Sequence, residues 1–276
     1  MVGGRKGKIK MVLLNLIALL VSLIVIMPIV LIIINSFKAT GEAMTMTINL
    51  PKKIDISNFG TVIEKGKLAR SFCNSLLYAG VSTIVTIVLG SMSAYVFSRR
   101  RNKSFEALYM YLVLGMVIPV NYVALMKVMQ VLQLNNTALG IILLYVAIQT
   151  PFTIFLLYGF VSKIPTELDE AAIIDGCNAV ELYFTIIMPL LKPAIVTGMV
   201  LCFLNTWNEF VMPLYFLNSS EKWPMTLAVY NFFGQYETSW NLICADVILT
   251  CAPVIIMYLL GQKYIVGGQT AGAVKG

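Results

Sequence analysis

The stretch LDEAAIIDGCNAVELYFTIIMPLLKP, residues Leu168–Pro193, reads as a charged helix, a glycine, a greasier helix and two prolines. On both sides it meets long apolar runs, near 138–161 and 192–217. An acidic, glycine-hinged segment between two such runs is a loop outside a hydrocarbon layer. That reading decides the fold class, because it makes the flanking runs membrane spans.

The composition agrees. Hydrophobic residues make up 59% of the 276-residue chain and charged residues only 12%, with mean hydropathy +0.85; roughly 25% charged is usual for soluble domains. A hydrocarbon core of about 30 Å needs roughly 20 apolar residues per helical span. Six runs qualify, near 11–35, 71–97, 106–128, 138–161, 192–217 and 242–265. The expected architecture is an all-α membrane protein with six transmembrane helices in one domain, 1–276. The first run follows Arg5, Lys6, Lys8 and Lys10. It is longer than the roughly 7–15 residues of a signal core and no small-x-small site follows it, so it is expected to stay as a span.

Orientation follows from lysine and arginine. The short loop Ser98–Ser104 carries Arg99, Arg100, Arg101 and Lys103, whereas the long loop 36–70 is mixed in sign. The positive-inside bias places both termini, this short loop and Leu168–Pro193 in the cytoplasm. The net charge of +7 mainly reflects that bias, and no soluble basic domain exists to bind nucleic acid. The five cysteines are scattered, so no disulfide framework is expected. Histidine is absent, and no residue set has the spacing of a metal site.

In the second run Ser82, Thr86, Gly90 and Ala94 recur every four residues. Small residues on one face let helices approach closely in lipid, which fits bundle packing or a subunit interface. Pro28, Pro119, Pro151, Pro213 and Pro253 put a proline in every other run, predicting kinked helices. The loop 218–241 is aromatic and is expected to carry a short helix.

Phosphate-binding GxxxxGK[ST], GxSxG and HExxH patterns are all absent. Apart from Glu106 at the first position of the third run, Glu209 and Asp246 are the only carboxylates inside the runs, a weak basis for a proton-coupled carrier. Active transport would therefore draw its energy from a cytoplasmic partner. The loop 165–190 is the place to look for one. Thr166 is a candidate N-cap with Asp169 three residues on, acidic residues suit a first turn, and Gly176 permits a corner between two short helices. Two readings stay open on physical grounds: a docking element, or an interfacial helix with no partner.

Glu170, Ala171, Ala172, Gly176, Ile186 and Pro189 resemble the EAA loop of permease subunits of ATP-binding-cassette importers, EAA-x3-G-x9-I-x-L-P, with Met188 in place of leucine. NSL at 74–76, FLNTWNEFVMPLYFL at 203–217 and the ending GQKYIVGGQTAGAVKG are similar to maltose-type carbohydrate permeases, and to the smaller six-span partner of such pairs. The resemblance implies a non-catalytic subunit in a bacterial or archaeal cytoplasmic membrane. It implies a second permease subunit, two cytoplasmic ATPase subunits carrying ATP and Mg, and an extracytoplasmic sugar-binding protein. It makes Asp169, Glu170, Ala171, Ala172, Asp175, Gly176 and Pro189 the ATPase-coupling set, and sends the tail Gly272, Ala273, Val274 and Lys275 toward the ATPase. No cofactor is expected in this chain.

Candidate substrate-path residues are Asn205, Trp207, Asn208 and Glu209, with Asn121, Tyr122 and Gln149 behind them. Amides, carboxylates and aromatic faces suit a sugar, while the alternative for Asn208 and Glu209 is bonding between helices. The alternative for the whole chain is a stand-alone channel or secondary carrier.

Overall fold

The computed structural model describes residues 5–100, 102–233 and 238–273, with side chains described for 10–262 within those ranges. In chain order the helices that bear on function are α1 (Arg5–Ser36), α2 (Leu68–Arg99), α3 (Lys103–Leu114), α4 (Tyr122–Val131), α5 (Ala138–Val161), α6 (Glu167–Ile174), α7 (Lys192–Asn208), α8 (Val211–Phe216) and α9 (Trp240–Ala273). Among the described residues, four helices are long and apolar enough to cross a membrane: Lys10–Ser36, Leu68–Arg99, Ala138–Val161 and Trp240–Gln262. A fifth candidate is the bent pair Ala179–Leu190 and Lys192–Asn208, turned by 79°. The protein is thus an all-α membrane protein with four or five such helices.

Two of the six expected runs are interrupted. The run 106–128 divides into α3 and α4, with 115–121 non-helical between them. Pro119 disfavours helical backbone at Ile118, and the Asn121 side chain accepts the Ala124 N–H at 3.0 Å, starting a new helix instead. The run 192–217 breaks after Asn208. Glu209 takes an extended backbone, φ −68 and ψ 127, and Pro213, which would clash with the carbonyl four residues back, falls in the first turn of α8 instead. Pro28, Pro151 and Pro253 remain inside continuous helices.

The described residues form two compact units. One comprises 1–68 and 228–251. From 10 to 30, α1 is exposed along its whole length. Past its end, Lys38 is fully buried. Its amino group donates to Asn35 Oδ1 at 3.0 Å, Thr47 O at 2.7 Å and Thr47 Oγ1 at 3.1 Å. Asn58 donates to Ser36 O and Lys38 O and accepts from Asn241 Nδ2 at 2.8 Å. Backbone carbonyls left over by the end of α1 are met in this way by side chains.

The other unit comprises 69–227 and 252–276. Ser82, Thr86, Gly90 and Ala94 are all buried. A Cβ added to Gly90 would lie 2.6 Å from Thr153 Cγ2, so glycine is what allows α2 and α5 to approach this closely. Around this seam a core forms from Ile87, Ala94, Leu157, Val161, Leu182, Tyr183, Ile187 and Leu191. The loop 218–241 carries a 3-10 turn at Ser220–Lys222 and short helical turns over Met225–Ala228 and Val229–Phe232.

Candidate functional site

Two features of the larger unit bear on function: the segment 165–190 and a cavity among α4, α5, α7 and the breaks beside them.

In the segment, α6 ends on a glycine-based cap. Gly176 has φ +88, the Gly176 N–H reaches Ile173 O at 3.0 Å, and the Cys177 N–H reaches Ala172 O at 2.9 Å. That pair of bonds closes the helix end through a left-handed residue. Asn178 then opens the next turn. Its Oδ1 accepts the N–H groups of Val180 and Glu181, and the Asn178 N–H donates to Glu181 Oε2 at 3.0 Å. This reciprocal capping box has its sequence signal in N-x-x-E, Asn178 to Glu181. Thr166, by contrast, has helical backbone and makes no side-chain cap. Leu182–Ile187 follows as a π-helical turn, a form that is rare and often found at functional sites. Its Leu182, Tyr183 and Ile187 are buried, so these three side chains anchor the second half of the segment in the core.

The residues expected to couple to an ATPase do not share one face. Glu170, Ala171, Asp175, Gly176 and Pro189 are exposed, with Ile173 and Ile174 beside them. Ala172 and Asp169 are buried. Asp169 turns inward: its Oδ2 lies 2.5 Å from Arg99 Nε, and Oδ1 accepts from the Tyr95 hydroxyl at 3.1 Å. Of the tail residues, Gly272 and Ala273 end α9, and Val274 and Lys275 lie outside the described residues.

The cavity has a volume of about 410 Å³ and is partly open; Tyr122, Tyr145, Gln149, Asn205, Thr206 and Glu209 supply its polar wall. Gln149 Nε2 donates to Thr206 Oγ1 at 2.7 Å and Cys202 O at 3.2 Å, tying α5 to α7. Tyr122 stacks on Tyr215, with ring centroids 5.2 Å apart. Glu209 Oε1 accepts the N–H groups of Val211 and Met212, at 2.7 and 3.1 Å, and so caps α8. Tyr122, Gln149, Asn205 and Glu209 are therefore brought together.

Asn121, Trp207 and Asn208 are not among the lining residues. The Asn121 side chain caps α4. Asn208 donates to Leu204 O at 2.9 Å. Trp207 is buried between Phe203 and Phe72, at centroid distances of 5.5 and 5.8 Å. Tyr145 was missed. It precedes Gln149 by one helical turn, and Tyr145, Ile148, Gln149 and Phe152 follow the i, i+3, i+4, i+7 spacing of one helix face. The wall offers planar amides, phenols and one carboxylate to a polar solute. Among the described residues no group of histidine, cysteine, aspartate or glutamate could hold a metal ion.

Residues 86–265 match the family model described as binding-protein-dependent transport system inner membrane component. The chain belongs to this family. It is 35% identical over 272 residues to the probable starch degradation products transport system permease protein AmyC of Thermoanaerobacterium thermosulfurigenes, covering 98% of this chain and 99% of that one. It is 33% identical over 265 residues to the melibiose/raffinose/stachyose import permease protein MelC of Bacillus subtilis, covering 95% and 96%. In fold it resembles the crystal structure of a bacterial ABC transporter involved in import of the acidic polysaccharide alginate, with TM-score 0.83 and 22% identity over 95% of this chain and 98% of that chain.

Proposed function

We propose that this family member is the permease subunit of an ATP-driven importer for a carbohydrate, with an oligosaccharide as the substrate class. The observation that carries the reading is the cavity walled by Tyr122, Tyr145, Gln149, Asn205 and Glu209. It offers a sugar hydrogen-bonding amides and aromatic surface, as carbohydrate recognition requires, and the relatives named for starch products and for melibiose, raffinose and stachyose favour the same class.

In this reading the chain crosses the cytoplasmic membrane six times, with both termini inside. The third span is the pair α3 and α4, and the fifth is α7 continued by α8. A second permease subunit completes the path. An extracytoplasmic binding protein delivers sugar to the outer loops 36–70 and 218–241. The exposed side of α6 docks on one of two cytoplasmic ATPase subunits, which hold ATP and Mg. ATP binding shifts the permease between inward-facing and outward-facing states, to the extent of its differential affinity for the two.

Co-expression of the tagged chain with its partner subunits tests this. The ATPase is expected to co-purify, and to be lost with Glu170→Lys. Liposomes holding this chain alone are expected to take up no sugar. ATP-independent uptake by the chain alone would establish a carrier or channel and end the proposal.

A further inference from the structure

The inner side of α6 carries more machinery than docking needs. Ser91, Tyr95 and Arg99 stand four residues apart on α2, which puts them on one helix face. All three reach toward the segment 164–183. Arg99 Nε pairs with Asp169 Oδ2 at 2.5 Å, and Arg99 Nη1 donates to Ile164 O at 3.1 Å. The guanidinium thus holds both the entry to α6 and its first turn. Tyr95 donates to Asp169 Oδ1 at 3.1 Å and lies under the Arg99 guanidinium, 5.7 Å from its ring centroid. Tyr183 donates to Ser91 Oγ at 2.5 Å, and its ring lies 5.8 Å from that of Tyr95.

The Arg99 and Asp169 side chains are only 15% and 12% exposed. A buried ion pair is a poor way to gain stability, since apolar residues of similar volume often do as well. What it supplies is direction and register, because a lone buried charge is strongly disfavoured and the two partners must stay together. Two elements joined in this way are held against sliding, whereas an apolar contact would let them shear.

We propose that Arg99, Tyr95 and Asp169 are positioning residues that lock α6 to α2. Movement imposed on the exposed side of α6 is then passed to α2, whose small-residue face packs against α5. This rests on the docking of α6 proposed above. Asp169 accordingly acts through Arg99 and Tyr95, while its neighbour Glu170 faces the partner.

The test uses the full complex in lipid nanodiscs, comparing backbone hydrogen exchange with and without ATP plus vanadate. In the unsubstituted complex, residues 167–176 and 91–99 are expected to change together. With Asp169→Asn the ATPase should still co-purify and 167–176 should still respond, while the response of 91–99 falls roughly fivefold or more, the lower end of usual coupling factors. Tyr95→Phe, which removes one hydrogen bond and keeps the ring, should show a smaller fall in the same direction. It also carries the test if Asp169→Asn does not accumulate. Recovery in the double variant Arg99→Asp with Asp169→Arg supports the proposal. A full response of 91–99 in both single variants overturns it, including when 167–176 has become loose without ATP, which marks a purely local role. Failure of the docking reading is separate: there, 167–176 does not respond to ATP even in the unsubstituted complex.

Discussion

The protein buries two basic side chains in different ways. In the smaller unit, Lys38 is fully enclosed and its amino group donates to neutral oxygens of residues within nine positions of it in the chain. In the larger unit, Arg99 meets a carboxylate 70 positions away, on a separate helix. The first arrangement is a local knot that ties off the end of α1. The second joins two elements that the sequence keeps far apart. A neutral oxygen cage tolerates loss of one contact, because dipoles can be shared. An ion pair does not, because losing one partner leaves a charge in a place that cannot solvate it.

Four substitutions test that contrast, in falling order of effect on stability. Arg99→Met leaves Asp169 buried and unpaired, and should cost about 3–5 kcal/mol, seen as a lowered thermal midpoint in detergent. Lys38→Met should cost about 1–3 kcal/mol in the same assay. Asn35 Nδ2 still donates to the Thr47 carbonyl at 3.1 Å, which limits the damage. A larger loss for Lys38→Met than for Arg99→Met would reverse the comparison. Thr47→Val removes one of three acceptors from Lys38 and should cost about 1 kcal/mol, read by faster hydrogen exchange at 36–47. Glu170→Lys should leave the thermal midpoint unchanged and abolish ATPase co-purification. Since Glu170 and Asp169 are adjacent acids, that outcome would show that burial rather than acidity separates their roles.

The long helices were legible because an apolar run of membrane length admits few other structures. Expected runs 11–35, 71–97, 138–161 and 242–265 fall inside α1, α2, α5 and α9. The breaks were not legible from proline alone, since proline in a long run can either kink a helix or end it. Pro119 and Pro213 stand at or just beyond breaks because Asn121 and Glu209 supply side-chain acceptors that start a new helix. Near Pro28, Pro151 and Pro253 the helix simply continues.

The site was legible in part. Asn205 and Glu209 lie four apart and share a face of the chain's turn, while Trp207 falls between them and points into the core. Helical spacing could have made that distinction. The inward turn of Asp169 could not have been read locally, because Arg99 belongs to another helix and nothing within the loop's own sequence names it.

Gly176 has open space where a side chain would begin: no heavy atom lies within 4 Å of an added Cβ. Size is therefore not what calls for glycine at this corner. Its φ of +88 is a matter of handedness, which L-residues resist and asparagine resists least. Asparagine should keep the corner better than valine does, because it tolerates the left-handed conformation that valine resists. The angle at which the exposed Ile173 and Ile174 stand to the turn that follows them is thus set by the chirality of one backbone position.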